Sequence, residues 1–224
     1  MTAGGIQISI SFLDFDGVIK DSVDAKGLAF VATFRDFGDA FGERILAHHR
    51  SNGGVSRAQK IPLYLEWAGL SAQPSTIEAF TRSFAAEARR AVIDSPWVPG
   101  ALEYLERRRA GEVKVIVSAT PEQELRSIAE DLGIRNLVDS MFGAPMRKVD
   151  AIRREIRRLG ARAGDCIMVG DSMVDLEAAA AAEVPFILRR HDGNRDLERA
   201  HRLCAIDDLR EIWSIQARPD TLRE

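Results

Sequence analysis

The sequence predicts an α/β protein on a parallel sheet, interrupted near its start by an inserted block of helices. Three observations carry this expectation. A short apolar run, Ile8 to Leu13, ends in two carboxylates one residue apart, Asp14 and Asp16, followed by Gly17. From Val23 to Ile93 apolar residues recur at helical spacing, with no convincing strand. After Pro96 strands alternate with helices, the rhythm of parallel strands joined by right-handed crossovers.

Each element has its own signal. Alternate residues of the first strand share one face, so Asp14 and Asp16 fall together at its C-terminal end, and Gly17 permits a tight turn away. In the helical block, Ala29, Phe30, Phe34 and Phe37 form one stripe, and Ile61, Leu65 and Ala68 another. His48 to Arg57, with Asn-Gly-Gly at its centre, predicts a loop. Ser75 with Glu78 has the pattern of a capping box, opening a helix that runs to about Ala91. The Pro96-Trp97-Val98-Pro99-Gly100 stretch then punctuates the chain.

A helix is expected over 101–110 and a strand over 113–117, ending at Ser118-Ala119-Thr120-Pro121. The next helix, 121–132, is closed by Gly133. Another, 149–159, turns Ile152, Ile156 and Leu159 inward and stops at Gly160. A strand over 166–169 leads into Gly170-Asp171-Ser172, which opens an alanine-rich helix. A strand over 184–188 and a weaker one near 203–206 follow, and Ala217 to Glu224 is polar enough to fray.

At 224 residues with 46% hydrophobic content, the chain can bury a proper core. A net charge of −3 argues against a general nucleic-acid binder. The arginine runs Arg107-Arg108-Arg109, Arg153-Arg154 and Arg157-Arg158 read as solvated helix faces. Cys166 and Cys204 make neither a disulfide framework nor a metal cluster. No apolar segment reaches membrane-spanning length, and Met1 to Gly5 lacks a basic secretory start, so a cytoplasmic location is expected.

Sheets of this kind bind ligands beyond the carboxyl ends of their strands. There the sequence puts Asp14, Asp16, Ser118, Thr120 and Asp171, with Lys148 starting a helix and Asp175 one turn after Asp171. Neighbouring carboxylates are costly unless a cation neutralises them or one stays protonated. A hard, oxygen-seeking ion such as Mg²⁺ answers that need and leaves room for a phosphate.

Together these residues resemble the haloacid dehalogenase-like superfamily of phosphohydrolases, over about Ser9 to Leu188. Asp14-Phe15-Asp16-Gly17-Val18 is similar to the nucleophile motif and Ile116-Val117-Ser118-Ala119 to the second motif. Lys148 corresponds to the third, and Gly170-Asp171-Ser172-Met173-Val174-Asp175 to the fourth. The resemblance implies a Rossmann-like parallel-sheet core, residues 1–18 and 97–224, with an inserted all-helical C1-type cap domain at 19–96. It implies Asp14 as nucleophile, forming an aspartyl-phosphate, and Asp16 as general acid and base. Ser118, Ala119 and Lys148 would bind the phosphoryl group. Mg²⁺ would be held by Asp14, the Asp16 backbone carbonyl and Asp171, with Asp175 binding through water or orienting Lys148.

From the cap side, Asn52, Ser56 and Arg57 are candidates for contacts to hydroxyls or a second acidic group, and Lys20 for the site entrance. Adjacent His48 and His49 lack the partners of a metal site. Where the family usually carries an alanine-glycine pair, this chain has Ala182-Glu183, which alters a helix C-cap and no catalytic group.

Asp16 separates this chain from the dehalogenases, which lack a second aspartate there. Lys20, Lys26 and Lys60 stand in no context matching the Schiff-base lysine of the phosphonatases. The leading expectation is a Mg²⁺-dependent phosphatase of a small phosphorylated metabolite, a sugar phosphate or phosphoglycolate, acting as a monomer or homodimer. The alternatives are a phosphomutase similar to β-phosphoglucomutase and a non-catalytic phospho-ligand-binding protein.

Overall fold

The computed structural model describes residues 9–107 and 109–216; Ile8, Arg108 and the stretch Ala217 to Glu224, expected to fray, lie outside the described residues. Six parallel strands form one sheet: β1 (Ile10–Leu13), β2 (Val113–Pro121), β3 (Ser140–Ala144), β4 (Cys166–Gly170), β5 (Phe186–Arg189) and β6 (Ala205–Ile206). Their order is β3-β2-β1-β4-β5-β6. Ile10 pairs with Val113 on one side and Cys166 on the other, so β1 is central. The strand order reverses there, and a crevice opens beyond its C-terminal end. This is the Rossmann-like sheet that the alternating pattern predicts.

Between β1 and β2 lie α1 (Val23–Thr33), α2 (Asp39–Ser51), α3 (Arg57–Trp67), α4 (Pro74–Asp94) and α5 (Ala101–Glu106). The later helices are α6 (Glu122–Asp131), α7 (Lys148–Leu159), α8 (Met173–Ala181), α9 (Arg195–His201) and α10 (Ile212–Gln216). Period-2 alternation divides the strand residues between two cores. Ile10, Phe12, Val115 and Met168 pack with α7 and α8, whereas Leu13, Ile116 and Val169 pack with α5, α6 and α10. A third core, with Phe30, Phe34, Ile61, Tyr64 and Phe84, is formed by α1 to α4 alone. No described helix is long and apolar enough to cross a membrane.

Several local expectations are corrected. His48 to Ser51 belongs to α2, which leaves only residues 52–56 as loop. His48 Nδ1 lies 2.9 Å from the Tyr64 hydroxyl, a contact that ties the end of α2 to α3. No capping box opens α4: Pro74 occupies its first turn, where a fixed φ and a missing N–H cost nothing. Helix α5 stops at Glu106 because the buried Lys114 ammonium donates to the carbonyls of Tyr104, Leu105 and Arg107 at 2.6, 3.1 and 2.5 Å. Strand β3 has no clear signal in sequence, since it is a short edge strand carrying Gly143. Leu159, expected inward, is 39% exposed, and Phe37 faces water similarly. Glu183 takes φ of 58° after α8, the left-handed cap where a glycine would be unstrained.

Candidate active site

Asp14 leaves β1 at its C-terminal end and is buried. Its Oδ1 accepts from the Phe15 N–H at 2.7 Å, and its Oδ2 lies 2.8 Å from Lys148 Nζ. Lys148 is the first residue of α7, and its ammonium also donates to Asp175 Oδ1 at 2.6 Å. The other oxygen of Asp175 accepts from the Ser172 hydroxyl at 2.6 Å and the Ser172 N–H at 3.2 Å, a capping box that opens α8. Both Asp175 oxygens are therefore committed, which suits it to orienting Lys148.

Asp171 follows β4 directly. Oxygens of Asp14, Asp171 and Asp175 lie within 4.8 Å of one another. Gly17, at φ of 78°, makes this approach possible, since a Cβ there would stand 2.3 Å from Asp171 Oδ2. Burial, with repulsion from Asp175, Asp171 and Asp16, pushes the Asp14 carboxyl well above the ordinary carboxylate range, and Lys148 only partly opposes this. Burial also raises Asp171, again with a contribution from Asp175. On Lys148 burial acts the other way, but Asp14 and Asp175 outweigh it and hold the ammonium charged. The cluster thus has more buried carboxylate than one lysine neutralises. Its donors are hard oxygens, and they fit a divalent cation of the Mg²⁺ kind.

Asp16 faces the same pocket but belongs to a different set of contacts. Lys26 Nζ, from α1, donates to its Oδ2 at 2.5 Å, the Ser22 hydroxyl to its Oδ1 at 2.6 Å, and Thr120 Oγ1 to its Oδ2 at 3.3 Å. Burial opposes the charge, yet Lys26 and Ser22 hold this carboxyl below its usual range. Two adjacent aspartates thus have opposite environments, one pushed toward protonation and the other held ionised.

On the β2 side the strand is irregular between Val117 and Pro121, and Ser118 Oγ accepts from the Thr120 N–H at 3.1 Å. Ala119 and Thr120 line the pocket beside Asp14, Asp16 and Asp171. The opposite wall is helical: Lys26, Phe30, His49, Arg57, Lys60 and Phe84, with residues 53–56. Gly53 and Gly54 lie against the start of α8. At Gly54, φ of 75°, a Cβ would come within 2.5 Å of the Ser172 hydroxyl.

The candidates from the helical block divide. Arg57 lines the pocket, with its guanidinium 2.6 Å from Glu124 of α6 and over the Phe84 ring. Asn52 does not line it: its Nδ2 donates to the His48 carbonyl at 2.9 Å and ends α2. Lys20 is a correction too, for its Nζ donates to the Ile93 carbonyl at 3.1 Å and sits over the Trp97 ring, and it does not line the pocket. Lys26, His49 and Lys60, set aside in sequence as Schiff-base lysines or metal ligand, line the pocket, a placement that no motif marks. No motif marks His191 either, with Nε2 3.3 Å from Asp171 Oδ2 without hydrogen-bond geometry. The polar run after β5 is the signal that could have revealed it.

The comparisons with known proteins agree with this geometry. The profile of the haloacid dehalogenase-like hydrolases matches residues 12–180. Over 94% of its length, the chain is 24% identical to a phosphoglycolate phosphatase of Pseudomonas savastanoi pv. phaseolicola, covering 80% of that protein. Over 51% of the chain, it is 31% identical to a phosphoglycolate phosphatase of Rhodospirillum rubrum, covering 50% of that one. The fold is similar to that of a predicted phosphoglycolate phosphatase from Haemophilus somnus, with a TM-score of 0.74 at 18% identity, covering 93% of this chain and 98% of the other. It is also similar to CbbY from Rhodobacter sphaeroides in complex with phosphate, with a TM-score of 0.71 at 21% identity, covering 92% and 96%.

Proposed function

Because the chain belongs to the haloacid dehalogenase-like hydrolases, we propose that it is a Mg²⁺-dependent phosphatase of a small phosphomonoester, a sugar phosphate or a phosphoglycolate-like compound. In this reading residues 19–96 form the cap and 1–18 with 97–224 the catalytic core. One observation carries it: Asp14, beyond the central strand, contacts Lys148 and clusters with Asp171, while Asp16 opens onto the same pocket.

Asp14 attacks the phosphorus and becomes an aspartyl-phosphate, dividing one difficult displacement into two easier ones. Lys148, held between Asp14 and Asp175, steadies the charge on the transferring oxygens, together with the Ser118 hydroxyl and the backbone at Ala119. Asp16, ionised in the free site, takes up a proton with the substrate, gives it to the leaving alcohol and regains one from the attacking water. Lys26 and Thr120 fix its position through hydrogen bonds to Oδ2. Asp14, the Asp16 carbonyl and Asp171 would hold Mg²⁺, whose positive charge would favour the ionised Asp14 and reduce repulsion between nucleophile and phosphate.

The test is phosphate release from a panel of phosphomonoesters, with and without Mg²⁺, by wild type and Asp14→Asn. Metal-dependent release that falls by ~10³-fold or more in the variant is expected. A folded wild type that released no phosphate from any ester would overturn the reading.

A further inference from the structure

We propose that Lys60 is the subsite for an anionic group on the leaving alcohol, so that the substrate is a small phosphomonoester carrying a second negative charge. This rests on the phosphatase reading above and narrows it to a substrate class.

Lys60 stands on α3 with its side chain in the pocket wall, 1% exposed. A buried ammonium is costly unless something compensates it. Its Nζ lies 3.1 Å from His49 Nδ1, and His49 Nε2 lies 3.0 Å from the Val23 carbonyl. A carbonyl only accepts, so the imidazole proton sits on Nε2 and the bare Nδ1 accepts from Lys60. His49 is therefore neutral: burial first, then Lys60, pushes its pKa down to about 3. Among the described residues, the one polar partner of Lys60 offers a lone pair and no charge.

The other cations around the pocket are matched. Lys26 pairs with Asp16, Arg57 with Glu124, and Lys148 with Asp14 and Asp175. Among the described residues, no carboxylate lies at ion-pair distance from Lys60. Burial, helped by repulsion from Lys26, draws its pKa down to about 8, and the more distant Asp171 and Asp16 oppose this only in part. A carboxylate or a second phosphate on the substrate would supply that partner. Phe30 and Phe84 stand in the same wall, and the Phe30 ring is 5.9 Å from the ammonium. The pocket thus has Asp14 on its sheet wall, for the transferred phosphate, and Lys60 on its helical wall.

The test compares kcat/KM for 2-phosphoglycolate and ethylene glycol bisphosphate with kcat/KM for phosphoglycolamide, an uncharged counterpart. Wild type is expected to favour a charged ester by ~10–100-fold, the usual range for a hydrogen bond to a charged group. The ester it favours identifies carboxylate or phosphate as the anion. In Lys60→Met that ratio falls toward one, and Lys60→Arg restores part of it. The wild-type KM for the charged ester rises as pH passes about 8, whereas that for the amide does not follow Lys60. A wild-type ratio near one, or a Lys60→Met loss equal on both classes, would overturn the inference.

The wild-type ratio needs no variant, so misfolding of Lys60→Met cannot obscure the result. If wild type hydrolyses no ester, the phosphatase reading fails first. Calorimetric binding of phosphoglycolate and its amide to wild type then decides the Lys60 subsite, and equal affinities would sink it.

Discussion

On the sheet side of the pocket, Asp14, Asp171 and Asp175 crowd around one lysine, and the excess charge is negative. Across from them, Lys26, Arg57 and Lys60 project from α1 and α3, and the excess charge is positive. The two walls also differ in construction. The carboxylates issue directly from the ends of β1 and β4 or from the first turn of α8, where the ladder holds the backbone on both sides. The basic residues ride on helices with their own aromatic core, joined to the sheet side through Arg57 with Glu124, Gly54 against Ser172, and Lys26 with Asp16. In the proposed reading a divalent cation would offset the sheet wall and admit the phosphate there, while a second negative group would satisfy the helical wall. On the reading proposed above, the chemistry belongs to the sheet wall and the selection to the one that packs against it.

Three perturbations separate the walls, beginning with the largest effect. Lys148→Met removes the counter-charge of Asp14 and Asp175 and leaves both carboxylates buried. Turnover should fall on the order of 10³-fold, with a lower melting temperature, because breaking a buried pair costs roughly 3–5 kcal/mol. Steady-state kinetics and thermal melts check both. Turnover within threefold of wild type would mean that the rigid wall does not hold the chemistry.

His49→Gln probes the opposite wall through pH. The folded-state pKa of His49, about 3, lies below the unfolded value of 6.5. The unfolded chain therefore binds the proton more readily, so stability from this residue is complete above pH 6.5 and is lost as pH falls toward 3. Wild type should lose on the order of 2–3 kcal/mol to this group by pH 4.5. Denaturant melts at pH 7 and 4.5 should show a shallower decline in His49→Gln. Identical declines would mean that His49 is not held neutral by the fold.

Gly54→Ala is the gentlest. It forces an alanine into φ of 75° and sets its Cβ against the Ser172 hydroxyl. The left-handed strain costs about 1–2 kcal/mol. The loop should lift from α8, raising KM more than it lowers kcat. An unchanged melting temperature and KM would show that this junction is slack.

Much of the rigid wall was legible in sequence because its residues are read off strand ends. A β-rich apolar run that stops at Asp14 has one exit, and Asp171 follows the end of β4 in the same way. Lys148 opens α7, only one residue before the start that periodicity marks. Strand β3 escaped because an edge strand carrying a glycine has little apolar run to detect, and α5 was overextended because Lys114, a residue of the next strand, takes its last carbonyls. On the helical wall, Arg57 stood out beside the Asn-Gly-Gly turn. Asn52 and Lys20 were misplaced because a polar side chain near a turn can serve the backbone as well as a ligand.

The sequence by itself therefore determined the order of the elements, the parallel sheet and the carboxylates gathered beyond its central strands, since periodicity and strand polarity are local and survive in one dimension. Tertiary structure alone decided that Lys26 would meet Asp16, that His49 would be buried neutral, and that Lys60 would lack a carboxylate partner among the described residues. Those facts depend on which faces of separate helices meet across the pocket. Charge pairing through space leaves no period in the chain.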